Sequence, residues 1–134
     1  MNTTPRAIMP AALPAGPAER TVYSYGVRVG DTLHISGMVA FDADGSIVGE
    51  GNIEAQTEQV FANLRSVVEE AGGTLADIVS TTTYLTDVAT AHIVSAARAK
   101  YFTGPVKPTH AVVGVAALAR PQFLVEISGI AQLD

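Results

Sequence analysis

Alternation of apolar and polar residues over Val22–Val29 and again over Thr32–Phe41, with the turn dipeptide Gly30-Asp31 between them, predicts two strands joined as a hairpin. Asp and Gly in Phe41–Ser46 mark a turn, and Ile47-Val48 resumes a short strand before Gly49 and Gly51 break it. The period then changes from 2 to 3.6. Ile53, Val60, Phe61, Leu64, Val67, Val68 and Ala71 fall on one helical face, with Glu54, Glu58, Arg65 and Glu69 opposite. Asn52 is placed to cap this helix, and Gly72-Gly73 ends it. Thr74–Asp77 reads as a turn, and the β-branched run Ile78–Thr86 as a strand. Asp87 caps a second helix running to about Phe102, with Ile93, Val94, Ala97 and Tyr101 on its buried side; Gly104-Pro105 and Lys107-Pro108 stop it. Two last strands, Thr109–Leu118 and Phe123–Ala131, flank the turn Ala119–Gln122. Ahead of all this lies a lead over residues 1–18 carrying Pro5, Pro10, Pro14 and Pro17, which leaves 19–134 as a single domain.

The order ββ(β)αβαββ predicts an α/β (α+β) architecture: a mixed sheet of five to six strands with both helices on one face. Side-chain alternation then says what the other face carries. Val125 and Ile127, Ala111, Val113 and Val115, and Leu33 and Ile35 are assigned to the helix side. Leu124, Glu126 and Ser128, His110, Val112 and Gly114, and His34, Ser36 and Met38 are assigned to the open face. Such a half-apolar, half-polar face suits a subunit interface that also holds a pocket.

Composition narrows the function classes. The 134 residues include no cysteine, so disulfides, thiolate nucleophiles and Cys-containing zinc sites are excluded. A net charge of -5, with Lys only at Lys100 and Lys107, argues against a nucleic-acid partner. Mean hydropathy is +0.28, yet no apolar run approaches the roughly 20 residues that span a bilayer. The lead lacks a basic start followed by an apolar segment, so a cytoplasmic location and no membrane partner are expected. Only 16% of residues are charged, against about 25% in an average domain, which favours an oligomer that covers apolar surface.

Several segments together resemble the RidA/YjgF family, also called endoribonuclease L-PSP or translation inhibitor, from Tyr23 to Ala131. Val22–Val27 is similar to the family's proline-tyrosine-serine-x-x-valine opening, without the proline. His34–Val39 is similar to its serine-glycine-glutamine strand, Gln56–Gly72 with Asp77–Val79 and Thr83–Asp87 to its helix-to-strand segment, and Val125–Ile127 to its closing strand. The resemblance implies a chorismate-mutase-like fold and a homotrimer with small-molecule pockets between subunits. It further implies hydrolysis of an enamine or imine to a carbonyl compound and ammonia, with no metal or organic cofactor. In the family an arginine grips the substrate carboxylate and a glutamate places water. The glutamate matches Glu126, but the arginine motif, proline-x-arginine-small, reads Pro108-Thr109-His110-Ala111 here. A family asparagine on the second helix appears as Ser95, and a tyrosine one turn later as Arg98.

Glu126 is expected to orient or deprotonate water; the structural alternative is an inter-subunit ion pair or hydrogen bond. His110, on the adjoining strand of the sequence, is expected to pair with Glu126, which would raise its pKa and make it a general acid or base near neutral pH. Alternatively it fills the site left by arginine in a protein that binds a metabolite without catalysis. Tyr23, Ser36, Gly37 and Arg98 are the expected substrate-binding residues, with Arg98 and Arg120 as candidate displaced anion anchors. Ser36 lacks the flanking glycines of a nucleophile elbow, so its role is hydrogen bonding. His34, His92 and His110 are too far apart in sequence to suggest a metal site. An RNA-cleaving role follows from the family name alone, and the acidic charge opposes it.

Overall fold

Backbone pairing follows the predicted elements over most of the chain in a computed structural model that describes residues 2–15 and 22–134. Strands β1 (Arg6–Ile8), β2 (Gly26–Val29) and β3 (Thr32–Met38) precede α1 (Ile53–Glu70); β4 (Ile78–Leu85) precedes α2 (Ala91–Tyr101); β5 (Thr109–Gly114) and β6 (Val125–Gln132) close the chain. They form one six-stranded mixed sheet in the order β1-β2-β3-β6-β4-β5, in which β4 and β5 are parallel and every other pair is antiparallel. The architecture is the expected α+β arrangement. Both helices pack into a single core with Leu33, Ile35, Leu85, Val125 and Ile127 of the sheet.

Helix α1 forms where its period and caps require. Asn52 Oδ1 accepts from the Ala55 amide at 3.0 Å, and the stripe Val60, Phe61, Leu64, Val67 and Val68 is fully buried. The chain leaves the helix through Gly72 at φ 95°, a backbone state that favours glycine. Three buried polar side chains share the apolar stripe. Gln56 donates to the carbonyls of Gly49 and Gln122 and accepts from the Leu124 amide, and Asn63 donates to the carbonyls of Val39 and Phe41. Thr57 returns its hydroxyl to the Ile53 carbonyl. Gln56 and Asn63 therefore tie the neighbouring loops to the helix and leave no unmet polar group behind.

Five expectations are corrected. The proline-rich lead contributes β1, which pairs Ile8 with Gly26 and buries Ile8 and Leu13 in the core; its expected end, between residues 18 and 19, lies outside the described residues. Met38 is fully buried and not on the open face, because a register irregularity between Ile35 and Met38 shifts the alternation by one. Asp87 caps a single 3₁₀ turn, Val88–Thr90, before α2 begins. The strand expected over Thr109–Leu118 ends at Gly114 and forms an edge exposed along its whole length. Ile47 makes only an isolated bridge to Phe41 in place of a short strand.

Candidate functional site

Alternation along β6 sends Val125 and Ile127 into the core, both fully buried, and turns Glu126 to the open face opposite Tyr84 of β4. Glu126 is half-buried and accepts no hydrogen bond from the described residues, and burial holds its carboxyl above the usual carboxylate range. The irregularity in β3 makes room for it. A Cβ built at Gly37 would lie 2.7 Å from Glu126 Cδ, so any side chain at this position displaces the carboxylate. Ser36 is next to it, with its hydroxyl donating to the Ser24 carbonyl at 2.6 Å and its amide to the Tyr25 carbonyl at 2.9 Å. The segment carrying Tyr23 is thereby tied to the Ser36-Gly37 bulge. Tyr23 itself is 60% exposed and meets the Tyr25 ring edge-on at 5.9 Å, while Tyr25 donates its hydroxyl to the Pro14 carbonyl.

His110 is elsewhere. Strand β4 lies between β5 and β6, so the two strands that follow one another in sequence are not neighbours in the sheet. Parallel pairing sets His110 against Thr81, and its Nε2 lies 3.3 Å from Oγ1 of Thr83, a fully buried residue on the helix side. Tyr84, the partner of Glu126, points the opposite way. The expected His110–Glu126 pair is therefore absent within one chain, and His110 belongs to the helix side of the sheet. Its pKa moves opposite to expectation: partial burial, then the Arg98 charge, push the imidazole down from 6.5. Because the unfolded chain binds the proton more readily, stability falls as pH drops below about 6.5 toward the folded pKa. An NMR titration of the imidazole protons should give His110 a midpoint below 6.5; a midpoint above that value would contradict the placement beside Arg98.

Arg98, on α2, stacks its guanidinium over Phe102 at 4.9 Å and is depressed in pKa by burial. Two groups of expected residues thus result: Glu126 with Gly37 and Ser36 on the open face, and His110 with Arg98 at the free sheet edge on the helix side; Tyr23 lies on the segment hydrogen-bonded to Ser36. Arg120 is exposed in the turn before β6, its carbonyl accepting from the Phe123 amide. His34 and His92 are exposed, and no metal-competent cluster of His, Asp and Glu forms among the described residues. Tyr84, which no site motif marks, joins the open face through its spacing in β4. A cavity of about 250 Å³ along that face is lined by His34, Ser80, Thr82, Ser128 and Ile130. A groove of about 590 Å³ between α1 and α2 has Glu58, His92 and Lys100 on its walls, with Glu58 already bound to Lys100 and Tyr101.

Comparison with known proteins agrees with this geometry at the level of fold. The sequence profile of the endoribonuclease L-PSP family matches residues 14–133. A RutC family protein of Saccharolobus solfataricus is 38% identical over 122 residues, 91% of either chain. The crystal structure of YyfA from Yersinia pestis, a protein of unknown function of the conserved Rid family, superposes with a TM-score of 0.88 at 32% identity, covering 97% of this chain and 100% of that one. RidA from the Antarctic bacterium Psychrobacter sp. gives a TM-score of 0.84 at 33% identity, covering 96% and 99%. No described helix is long and apolar enough to cross a membrane.

Proposed function

Because this chain belongs to the endoribonuclease L-PSP family, the group that includes RidA and YjgF, we propose that it hydrolyses small imines or enamines to a carbonyl compound and ammonia. The observation carrying this reading is the Glu126 carboxyl, half-buried, raised in pKa and unbonded on an uncovered sheet face. A carboxyl so tuned moves protons closer to neutral pH than an exposed one. As water oxygen bonds to the C=N carbon, Glu126 takes a water proton and delivers it to nitrogen. A second transfer, from the new hydroxyl to nitrogen, lets the C–N bond break, leaving C=O and free ammonia. Protons balance, and Glu126 ends as it began. The Ser36-Gly37 bulge borders this carboxylate, and Tyr23, exposed on the segment that Ser36 ties down, is assigned to hold the substrate's oxygens.

The substrate pocket is assembled between subunits of a homotrimer. In one chain the Glu126 group and the His110 group lie on opposite sides of the sheet with β4 between them, so only a second copy can bring them together. An interface joining one group to the other is heterologous, and such an interface closes into a ring when its rotation divides a full turn, as a threefold does. Exposed Val79, Val112, Val113 and Ile130 on β4, β5 and β6 supply apolar surface for it. Sedimentation equilibrium at micromolar concentration should return three times the 13.9 kDa of one chain; a monomer would overturn the shared pocket.

The activity test is ammonia release from imines generated in situ, carboxylated ones by an amino-acid oxidase and neutral ones by an amine oxidase. Release faster than the spontaneous rate is expected, and an unchanged rate across carboxylated and neutral imines counts against hydrolysis. A second reading, metabolite binding without turnover, is favoured by one observation: the position matching the family arginine carries the neutral-leaning His110. Calorimetric binding of a keto acid without any ammonia release would select it.

A further inference from the structure

Arginine stands against arginine at the β1 edge of the sheet. Antiparallel pairing sets Arg6 of β1 directly across from Arg28 of β2, and Ile8 across from Gly26. Ile8 is buried, and a Cβ at Gly26 would meet Val67 of α1, so this alternation faces the helices and carries both guanidinium side chains to that side. Cross-strand partners have Cβ atoms about 4.5–5.5 Å apart, and like charges placed there repel.

The counter-charge is shared unequally. Arg28 is fixed from three directions: Nε donates to the Gly30 carbonyl at 2.9 Å, Nη1 to the Ala71 carbonyl at the end of α1 at 2.6 Å, and Nη2 to Asp31 Oδ1 at 3.3 Å. The exposed guanidinium of Arg6 meets no acceptor or carboxylate among the described residues. Two cations with a single carboxylate leave an excess positive charge here, in a chain whose net charge is -5. Both arginines line a cavity of about 300 Å³ together with Asn2, Thr4, Gly30 and Asp31. Asn2 Oδ1 accepts from the Thr4 amide at 2.9 Å, which leaves the Asn2 side-chain N–H groups and the Thr4 hydroxyl as further donors. A phosphate group has three acceptor oxygens to divide between two guanidinium forks, whereas a carboxylate has only the two that one fork takes. The cavity has the size of a modest small-ligand site, with room for a group beyond the phosphate.

We propose that Arg6 and Arg28 together bind the phosphate group of a small phosphate monoester. This site is independent of the hydrolase reading. Strand β1 is the sheet edge opposite β5, and Arg28 reaches toward the end of α1, whereas Glu126 lies on the open face. A ligand held by both arginines also joins β1 to β2, and so secures the three-residue strand that brings Ile8 into the core.

Titration with glycerol 2-phosphate and with inorganic phosphate, at low and matched ionic strength, tests the assignment on the wild type, Arg6→Gln and Arg6→Lys. Calorimetry gives the affinity and amide NMR the location. Both variants should fold, because the Arg6 side chain is exposed and bonds to none of the described residues. In the wild type the monoester should shift the amides of Thr4, Arg6, Arg28 and Gly30 and slow hydrogen exchange over Arg6–Ile8, and acetate should leave them unmoved. Arg6→Gln should bind the monoester about tenfold or more weakly, the scale of a charge-assisted hydrogen bond, and Arg6→Lys, which keeps the charge without the fork, should fall between. Equal affinity in the wild type and Arg6→Gln overturns the proposal, as do shifts confined to residues around Glu126. Inorganic phosphate bound more tightly than its ester overturns the monoester assignment. Absence of binding by either probe overturns the site altogether and leaves Arg6 as a charge that keeps the sheet edge from pairing with another chain.

Discussion

Glu126→Gln should leave assembly and melting temperature intact while imine turnover falls by roughly 10²–10⁴-fold, the usual contribution of a positioned acid–base group. Glutamine keeps the shape of the side chain, so the fit over Gly37 is preserved. The stability half of the expectation follows from the sign of the pKa shift. Burial raises the folded-state pKa, so the contribution of this group to stability is fully present below the unfolded carboxylate value and is lost as pH rises through the folded one. A neutral amide removes that loss, and the variant should be at least as stable as the wild type at neutral pH. For the wild type, turnover that needs the ionised carboxylate should decline on acidification from a midpoint above the usual carboxylate range. A steep drop in melting temperature, or dissociation of the oligomer, would instead identify Glu126 as an interface group.

Gln56→Leu should damage the fold as severely as truncation of a core side chain. Gln56 is fully buried, donates to the Gly49 carbonyl at 3.1 Å and the Gln122 carbonyl at 2.9 Å, and accepts from the Leu124 amide at 2.9 Å. Leucine fills the space but leaves the Gln122 carbonyl and the Leu124 amide without their partner, while the Gly49 carbonyl keeps only the Asn52 amide. Each net hydrogen bond is worth about 0.5–1.5 kcal/mol and each stranded buried group about 1–3, which together point to a loss of about 3–5 kcal/mol. For a chain of this length that is a fall on the order of 10–20 °C in melting temperature, measurable by calorimetry. A fall of under about 3 °C would show that water replaces the lost partners. The Leu124 bond also fixes the start of β6 two residues before Glu126, so the folded fraction of the variant should lose turnover as well.

Both predictions draw on positions whose role the sequence exposed unevenly. Gln56 and Asn63 sit at helical spacing within the stripe of Val60, Phe61 and Val67, and a polar residue on an apolar face is a visible signal of a buried hydrogen-bonding role. Glu126 was legible for the same reason, as a carboxylate between Val125 and Ile127 in a strand of period 2. Tyr23, Ser36 and Gly37 came from segment similarity, and the structure ties their backbone together through the Ser36 bonds. The expected His110–Glu126 pair is absent within one chain because β5 and β6, consecutive in sequence, have β4 between them in the sheet.

The sequence by itself determined the elements. The period of α1, the Asn52 cap, the turn at Gly30-Asp31 and the β-branched run of β4 are each written within a few residues, where steric preference and local hydrogen bonding decide. Only the tertiary structure decided what those elements bring together. The insertion of β4 between β5 and β6 depends on pairing between segments some 30 to 50 residues apart, which no local pattern encodes. The irregularity at Ser36-Gly37 depends on the neighbouring β6 and on the space that Glu126 takes, and one extra residue there is enough to send Met38 into the core. Likewise, the parallel register of β5 on β4 turned His110 toward Thr83 and Arg98, because a strand's facing is fixed by its partner and not by its own alternation.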